Sequence, residues 1–133
     1  MSDELKAFLD SWNEDANNIK SLFQDMRAYL QGLPDVKLDY KGRPGVSHSL
    51  RAQKNSQQRR SLFVLVDVID DNPAARWLSV CFYADLVSDP DELGDVVPGG
   101  LMGEDACCFD VEDPKQGAYI LKRLEEAYSR AKE

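Results

Sequence analysis

Leu5, Leu9, Trp12, Ala16, Ile19, Phe23, Met26 and Leu30 follow one another at alternating steps of four and three, which keeps their side chains on one stripe of an α-helix. Phe8, Leu22 and Tyr29 widen that stripe beyond a coiled-coil seam, so the pattern predicts a helix packed within its own domain. Gly32, with Pro34 just beyond it, marks the end. Asn13 to Asn18 is polar and weakly helical, which leaves open a break into two helices.

At Val36 the rhythm changes to two. Val36, Leu38 and Tyr40 alternate with Lys37, Asp39 and Lys41, Gly42-Arg43-Pro44-Gly45 turns the chain, and Val46, His48, Leu50 and Ala52 alternate with Ser47, Ser49 and Arg51. Lys54-Asn55-Ser56 reads as the next turn. Ser61 to Ile69 and Trp77 to Val87 then read as β-branched and aromatic strands separated by Asp70-Asp71-Asn72-Pro73, and Ala106 to Val111 as a fifth strand. Asp113 as N-cap, Pro114 at the first helical position and Gln116 in a capping box start a last helix. Its expected buried stripe is Ala118, Leu121, Leu124 and Tyr128, with Lys122, Arg123, Glu125, Glu126 and Arg130 outside. The expectation is one domain over residues 1–133: a two-layer α+β sandwich with an N-terminal helix (or two), a five-stranded, mainly antiparallel meander, and a C-terminal helix on the same face as the first.

Pairing Ile69 with Trp77 across the turn sets Val68, Val66, Val64 and Leu62 beside Leu78, Val80, Phe82 and Ala84, an apolar face beneath the helices. The reverse face carries Phe63, Leu65, Asp67 and Ile69 beside Trp77, Ser79, Cys81, Tyr83 and Asp85. That mixture is too apolar to stand bare and too polar for core, so the pattern calls for a cover. Ser88 to Asp105 is long for a connection. Its glycine-hinged centre, Val96 to Met102, fits either a lid over the mixed face or a surface excursion.

Composition narrows the function. With 43% hydrophobic and 30% charged residues the chain is of ordinary globular type. No apolar run is long enough to span a bilayer, and the start Met1-Ser2-Asp3-Glu4 is acidic where a secretory signal is basic, which predicts neither insertion nor export by that route. Cys81, Cys107 and Cys108, an odd set without paired-ligand spacing, read as reduced thiols of a cytoplasmic protein. The net charge of −8 is divided: residues 1–36 carry −4, 37–60 carry +6, 61–113 carry −12 and 114–133 carry +2. Overall acidity argues against a protein that coats nucleic acid, while the basic block can still form a local anion site.

Catalytic machinery is thin. His48, the only histidine, alternates with apolar residues and reads as structural, and Ser47 and Ser49 point to the opposite face. The cysteines lie in strand patterns without the electropositive setting of a reactive thiol. Asp89 to Gly100 fails as a calcium loop because Leu93 and Gly100 stand where ligands are required; Asp67 and Asp70-Asp71 near a strand end could hold a hard cation, but the same residues make an ordinary turn. No metal and no cofactor is expected.

The order helix, meander, helix, with the ending Tyr119-Ile120-Leu121-Lys122-Arg123-Leu124-Glu125-Glu126-Ala127-Tyr128, resembles small uncharacterised bacterial α+β domains, some described as predicted transport proteins. There too a strand precedes a final helix ending in a Leu-x-x-Ala-Tyr-like signature. That resemblance implies a fold and no catalytic residues. Pro73 followed by Trp77-Leu78-Ser79, behind an acidic first helix, is also similar to the hairpin of the frataxin family. The later tryptophan-bearing strand of that family is missing, so no iron site is carried over. The expected function is non-catalytic: binding a protein partner, a second copy or a small ligand through the mixed face that includes Asp67, Trp77, Ser79 and Tyr83. The competing expectation is an anion or nucleic-acid site at Arg43, Arg51, Arg59 and Arg60, and an enzyme comes third.

Overall fold

In the computed structural model, which describes residues 3–132, the N-terminal stripe forms two helices, α1 (Asp3–Ser11) and α2 (Lys20–Gln31). Met1, Ser2 and Glu133, which the assignment of one domain over 1–133 and the reading of the chain's start include, lie outside the described residues. Asp15 and Asn18 make the break. The Asp15 carboxylate accepts the N–H groups of Ile19 (2.9 Å) and Lys20 (3.0 Å), and Asn18 adopts a left-handed backbone (φ 54°) that a continuous helix does not contain. Ala16, expected on the stripe, is exposed, and its N–H donates to the Ala74 carbonyl at 2.9 Å.

Six strands follow: β1 (Val36–Arg43), β2 (Ser47–Lys54), β3 (Val64–Ile69), β4 (Trp77–Tyr83), β5 (Asp95–Leu101) and β6 (Glu104–Val111). They form one antiparallel sheet in the order β1-β2-β3-β4-β6-β5. The expected count of five is corrected by β5, which lies inside the 88–105 connection. Pro98, Gly99 and Gly100 hide it from pattern reading, and its ladder to β6 is irregular between Val97 and Leu101. The lid is corrected with it, because β5 lies in the plane of the sheet beside β6. The segment leading to β5 is tied to the last helix, α3 (Gly117–Arg130). Ser88 donates through its N–H and hydroxyl to Glu126, and the Asp89 carboxylate accepts the N–H groups of Leu93 and Gly94 and the hydroxyl of Tyr119.

The central register is the expected one: Ile69 faces Trp77, Val68 faces Leu78, Val66 faces Val80 and Asp67 faces Ser79. Leu50, Ala52, Val64, Val66, Val68, Leu78, Val80, Phe82, Phe109 and Val111 are buried in one cluster with Trp12, Phe23, Met26, Leu30, Ile120 and Leu124 of the helical segments. Burying a side chain of this size contributes roughly 1.5–3 kcal/mol, so this face carries the fold. Val46, expected to share it, sits in the hairpin turn and is exposed. β4 is shorter than expected and ends in one 3₁₀ turn, Ala84–Leu86.

Asp113 and Gln116 form the expected capping box around a 3₁₀ turn, and α3 begins behind it at Gly117. A Cβ at Gly117 would stand 3.1 Å from a methyl of Leu22, so the glycine permits close contact with α2. The buried stripe is therefore Gly117, Ile120, Leu124 and Ala127, whereas Ala118 is exposed and Leu121 and Tyr128 are half-buried. Arg123, expected outside, is buried; its Nε lies 2.7 Å from Glu126 and its guanidinium covers the Tyr119 ring.

The reading of three reduced thiols is also corrected. Cys81 and Cys108 are direct partners across β4 and β6 and form a disulfide, leaving Cys107 free and buried on the other face. Burial and the nearby carboxylates of Asp89 and Asp95 raise the Cys107 pKa, which keeps it a thiol. The bridge closes a separation of 27 residues, for which loop-closure entropy gives about 3–4 kcal/mol. The Cys81→Ser/Cys108→Ser protein should lose about that much in urea unfolding, and a reductant should shift the wild type but leave the double variant unchanged.

Candidate functional site

Alternation fixes what the second face of the sheet presents. One row across it reads Lys41, Ser49, Asp67, Ser79 and Asp110; the next reads Asp39, Arg51, Leu65, Cys81, Cys108 and Asp95. Towards the hairpin turns the row is Arg43, Ser47, Ile69 and Trp77. Along β2 to β4 these positions are half-exposed, apart from Tyr83, while their neighbours of opposite parity are buried, apart from Lys54 at the end of β2. The described helices bury their apolar residues on the other face.

Of the expected ligand-binding residues, Asp67 and Ser79 face each other and Trp77 lies two positions along β4, so the structure brings these three together. Ser49 Oγ donates to Asp67 Oδ1 and fixes that carboxylate. Tyr83 shares the face but is buried, because the Arg60 guanidinium lies 4.0 Å above its ring. Burial and Glu104 raise the Tyr83 pKa, so it presents a neutral phenol.

The basic residues divide differently. Arg60 donates to both oxygens of Asp85 (2.9 and 3.0 Å) and to Glu104 (2.9 Å), and Arg59 donates to Glu104 at 3.3 Å. The hydrogen bonds to Asp85 and then Glu104 raise the Arg60 pKa further, and those from Arg60 and Arg59 lower that of Glu104. Two of the four expected anion-binding arginines are therefore committed to carboxylates. Arg43 faces Ser47 and Arg51 faces Asp39, four residues apart on β1–β2, or about 13 Å.

A constellation that pattern reading missed lies on the helical side. Asp70, only 3% exposed, accepts Arg76 Nε at 2.6 Å through one oxygen, and His48 Nε2 at 2.8 Å and the Gly45 N–H at 3.1 Å through the other. Burial alone would raise the Asp70 pKa; the hydrogen bonds from Arg76, His48 and Gly45 overcome it and hold the carboxyl below its ordinary value. Because a carboxylate only accepts, His48 carries its proton on Nε2, and Nδ1 accepts the Tyr40 hydroxyl at 2.7 Å. Phe8 stacks on the imidazole with ring centroids 3.7 Å apart, and Arg76 packs over Phe8 and Trp12. Both histidine nitrogens and one ring face are thus occupied, which agrees with a structural histidine. A cavity of about 420 Å³ adjoins the cluster, with Glu4, Ser11 and Tyr40 on its wall. Gly42 is required here, since a Cβ would stand 2.7 Å from Tyr40 Oη.

The signal for this cluster was weak. His48, if buried, needs a hydrogen-bond partner, but that partner lies 22 residues away and only Asp70 and Arg76, flanking one turn, are near neighbours in sequence. Among the described residues no group of three or more histidine, cysteine or acidic side chains is placed to hold a metal ion. Among the described residues no helix is long and apolar enough to cross a membrane. Comparison with protein-family models, curated proteins and solved structures finds no match to the chain.

Replacing Asp70 with Asn leaves Arg76 buried without its counter-charge, which should lower stability at neutral pH by about 3–5 kcal/mol in urea unfolding. Because the folded pKa lies below the ordinary 3.8, the stabilisation from this carboxylate is complete above that value and is lost as pH falls through the folded one. The wild type should therefore lose stability more steeply with acid below about pH 4 than Asp70→Asn does; parallel profiles would refute the role given to Asp70.

Proposed function

We propose that this two-layer protein is a non-catalytic binding domain whose open sheet face docks against a second copy of the same chain. The division of charge across that face carries the reading. On β1 and β2 it presents Lys37, Lys41, Arg43 and Arg51 against a single acid, Asp39. On β3, β6 and β5 it presents Asp67, Asp110 and Asp95. Leu65, Ile69 and Trp77 supply apolar surface between the two flanks.

Such a face is its own complement under one operation. A two-fold axis running along the strands, between two stacked sheets, sets the basic flank of each copy over the acidic flank of the other; an axis across the strands sets like over like. Six strands at about 4.8 Å and seven residues at about 3.3 Å give roughly 650 Å² per partner, or about 1,300 Å² in total. This is the low end of specific interfaces, so the dimer is concentration-dependent and weakened by salt.

Charge exchange tests it. The Lys41→Glu/Arg43→Glu and Asp95→Lys/Asp110→Lys proteins should each sediment as monomers at concentrations where the wild type dimerises, and an equimolar mixture should dimerise again. A wild type that stays monomeric at millimolar concentration and low salt, or a mixture that stays monomeric, would refute the reading.

A further inference from the structure

A second cavity, of about 240 Å³, lies on the opposite side of the sheet from the open face. Val36, Leu38 and Leu50 line it from β1 and β2, and Leu5 lines it from α1. The ring of Tyr40 closes one end, and its hydroxyl is bonded away to His48. The polar remainder of the described lining comes from α2, from Arg27 and Gln31.

These two groups leave donors over. Arg27 donates Nη1 to Gln31 Oε1, which occupies the amide oxygen and leaves the amide N–H₂ free. Arg27 Nε is buried and has no acceptor, and no described carboxylate pairs with this guanidinium. The described rim therefore offers a cation and hydrogen-bond donors above an aliphatic floor, with no acid among the lining residues.

We infer that this crevice binds a small monocarboxylic acid with a short apolar tail. The planar fork of a guanidinium matches the two oxygens of a carboxylate. Val36, Leu38 and Leu50 take the tail. The volume lies below the roughly 300–1,000 Å³ of pockets for larger ligands, which selects a short chain over a long fatty acid. The His48–Asp70–Arg76 cluster acts as a positioning group, because it locks the Tyr40 ring that ends the crevice. The crevice and the docking face are on different sides of the sheet, so either can fail while the other stands.

The test is a titration of the methyl-labelled full chain with hexanoate, hexan-1-ol and hexylammonium, followed by carbon–proton correlation spectra. Hexanoate should shift the methyls of Leu5, Val36, Leu38 and Leu50 saturably, and the alcohol and the ammonium should bind at least about tenfold more weakly. Arg27→Met should weaken hexanoate by about tenfold and leave hexan-1-ol unchanged, while Arg27→Lys, which keeps the charge and loses the fork, should fall between. Dispersed spectra of both variants establish that they fold. Equal shifts with acid and alcohol in the wild type, hexanoate binding unaffected by Arg27→Met, or the absence of saturable shifts at these methyls would overturn the proposal.

Discussion

The buried ion pair between Asp70 and Arg76 closes the turn that joins β3 to β4, and the arrangement of the sheet starts from it. Asp70 follows Ile69 directly and Arg76 precedes Trp77 directly, so drawing the two charges together sets Ile69 against Trp77. Every later pair in the ladder follows from that one. A slip of a single residue would turn Asp67 towards the core and Val66 towards water, and the sidedness of the molecule would be lost. The same carboxylate reaches back to Gly45 and His48, so one acid binds the turn of the first hairpin to the turn of the second.

The parts of the fold that were legible in sequence are those written in local rhythm. The helical stripe, the change of period at Val36, the register of Val66 against Val80 and the capping box at Asp113 depend on neighbours a few residues apart, and they stand. The parts that were hidden depend on contacts distant in sequence or on residues that break a rhythm. Pro98-Gly99-Gly100 interrupts the alternation of β5, which pairs through one edge only. Arg123 is charged and yet buried, because Tyr119 and Glu126 receive it. Cys81 and Cys108 gave no ligand spacing, and only the pairing of β4 with β6 brings them opposite each other. Of the mixed face, Asp67, Trp77 and Ser79 were legible because parity alone places them; Tyr83 shares their parity but is covered by an arginine from a loop 23 positions earlier.

The two faces divide the chemistry. The open face holds a row of alternating polar groups, an apolar centre and a covalent link between β4 and β6 that stiffens its acidic half. The helical side holds the core, the Asp70 cluster and the crevice beneath Arg27. Tyr40 belongs to both features of that side: its hydroxyl serves His48 and its ring bounds the crevice.

The irregular ladder of β5 has a consequence for what the sheet cannot do. β5 is the outer strand, and Val96 (68% exposed) and Val97 (39% exposed) would ordinarily make such a margin a template for endless strand-by-strand growth. Pro98 removes a backbone donor in the middle of that margin, and the shift of register that follows bends the strand away from a straight ladder. An incoming chain finds a few usable rungs and then none, so the oily border is protected against fibril extension by the same residues that concealed it as a strand.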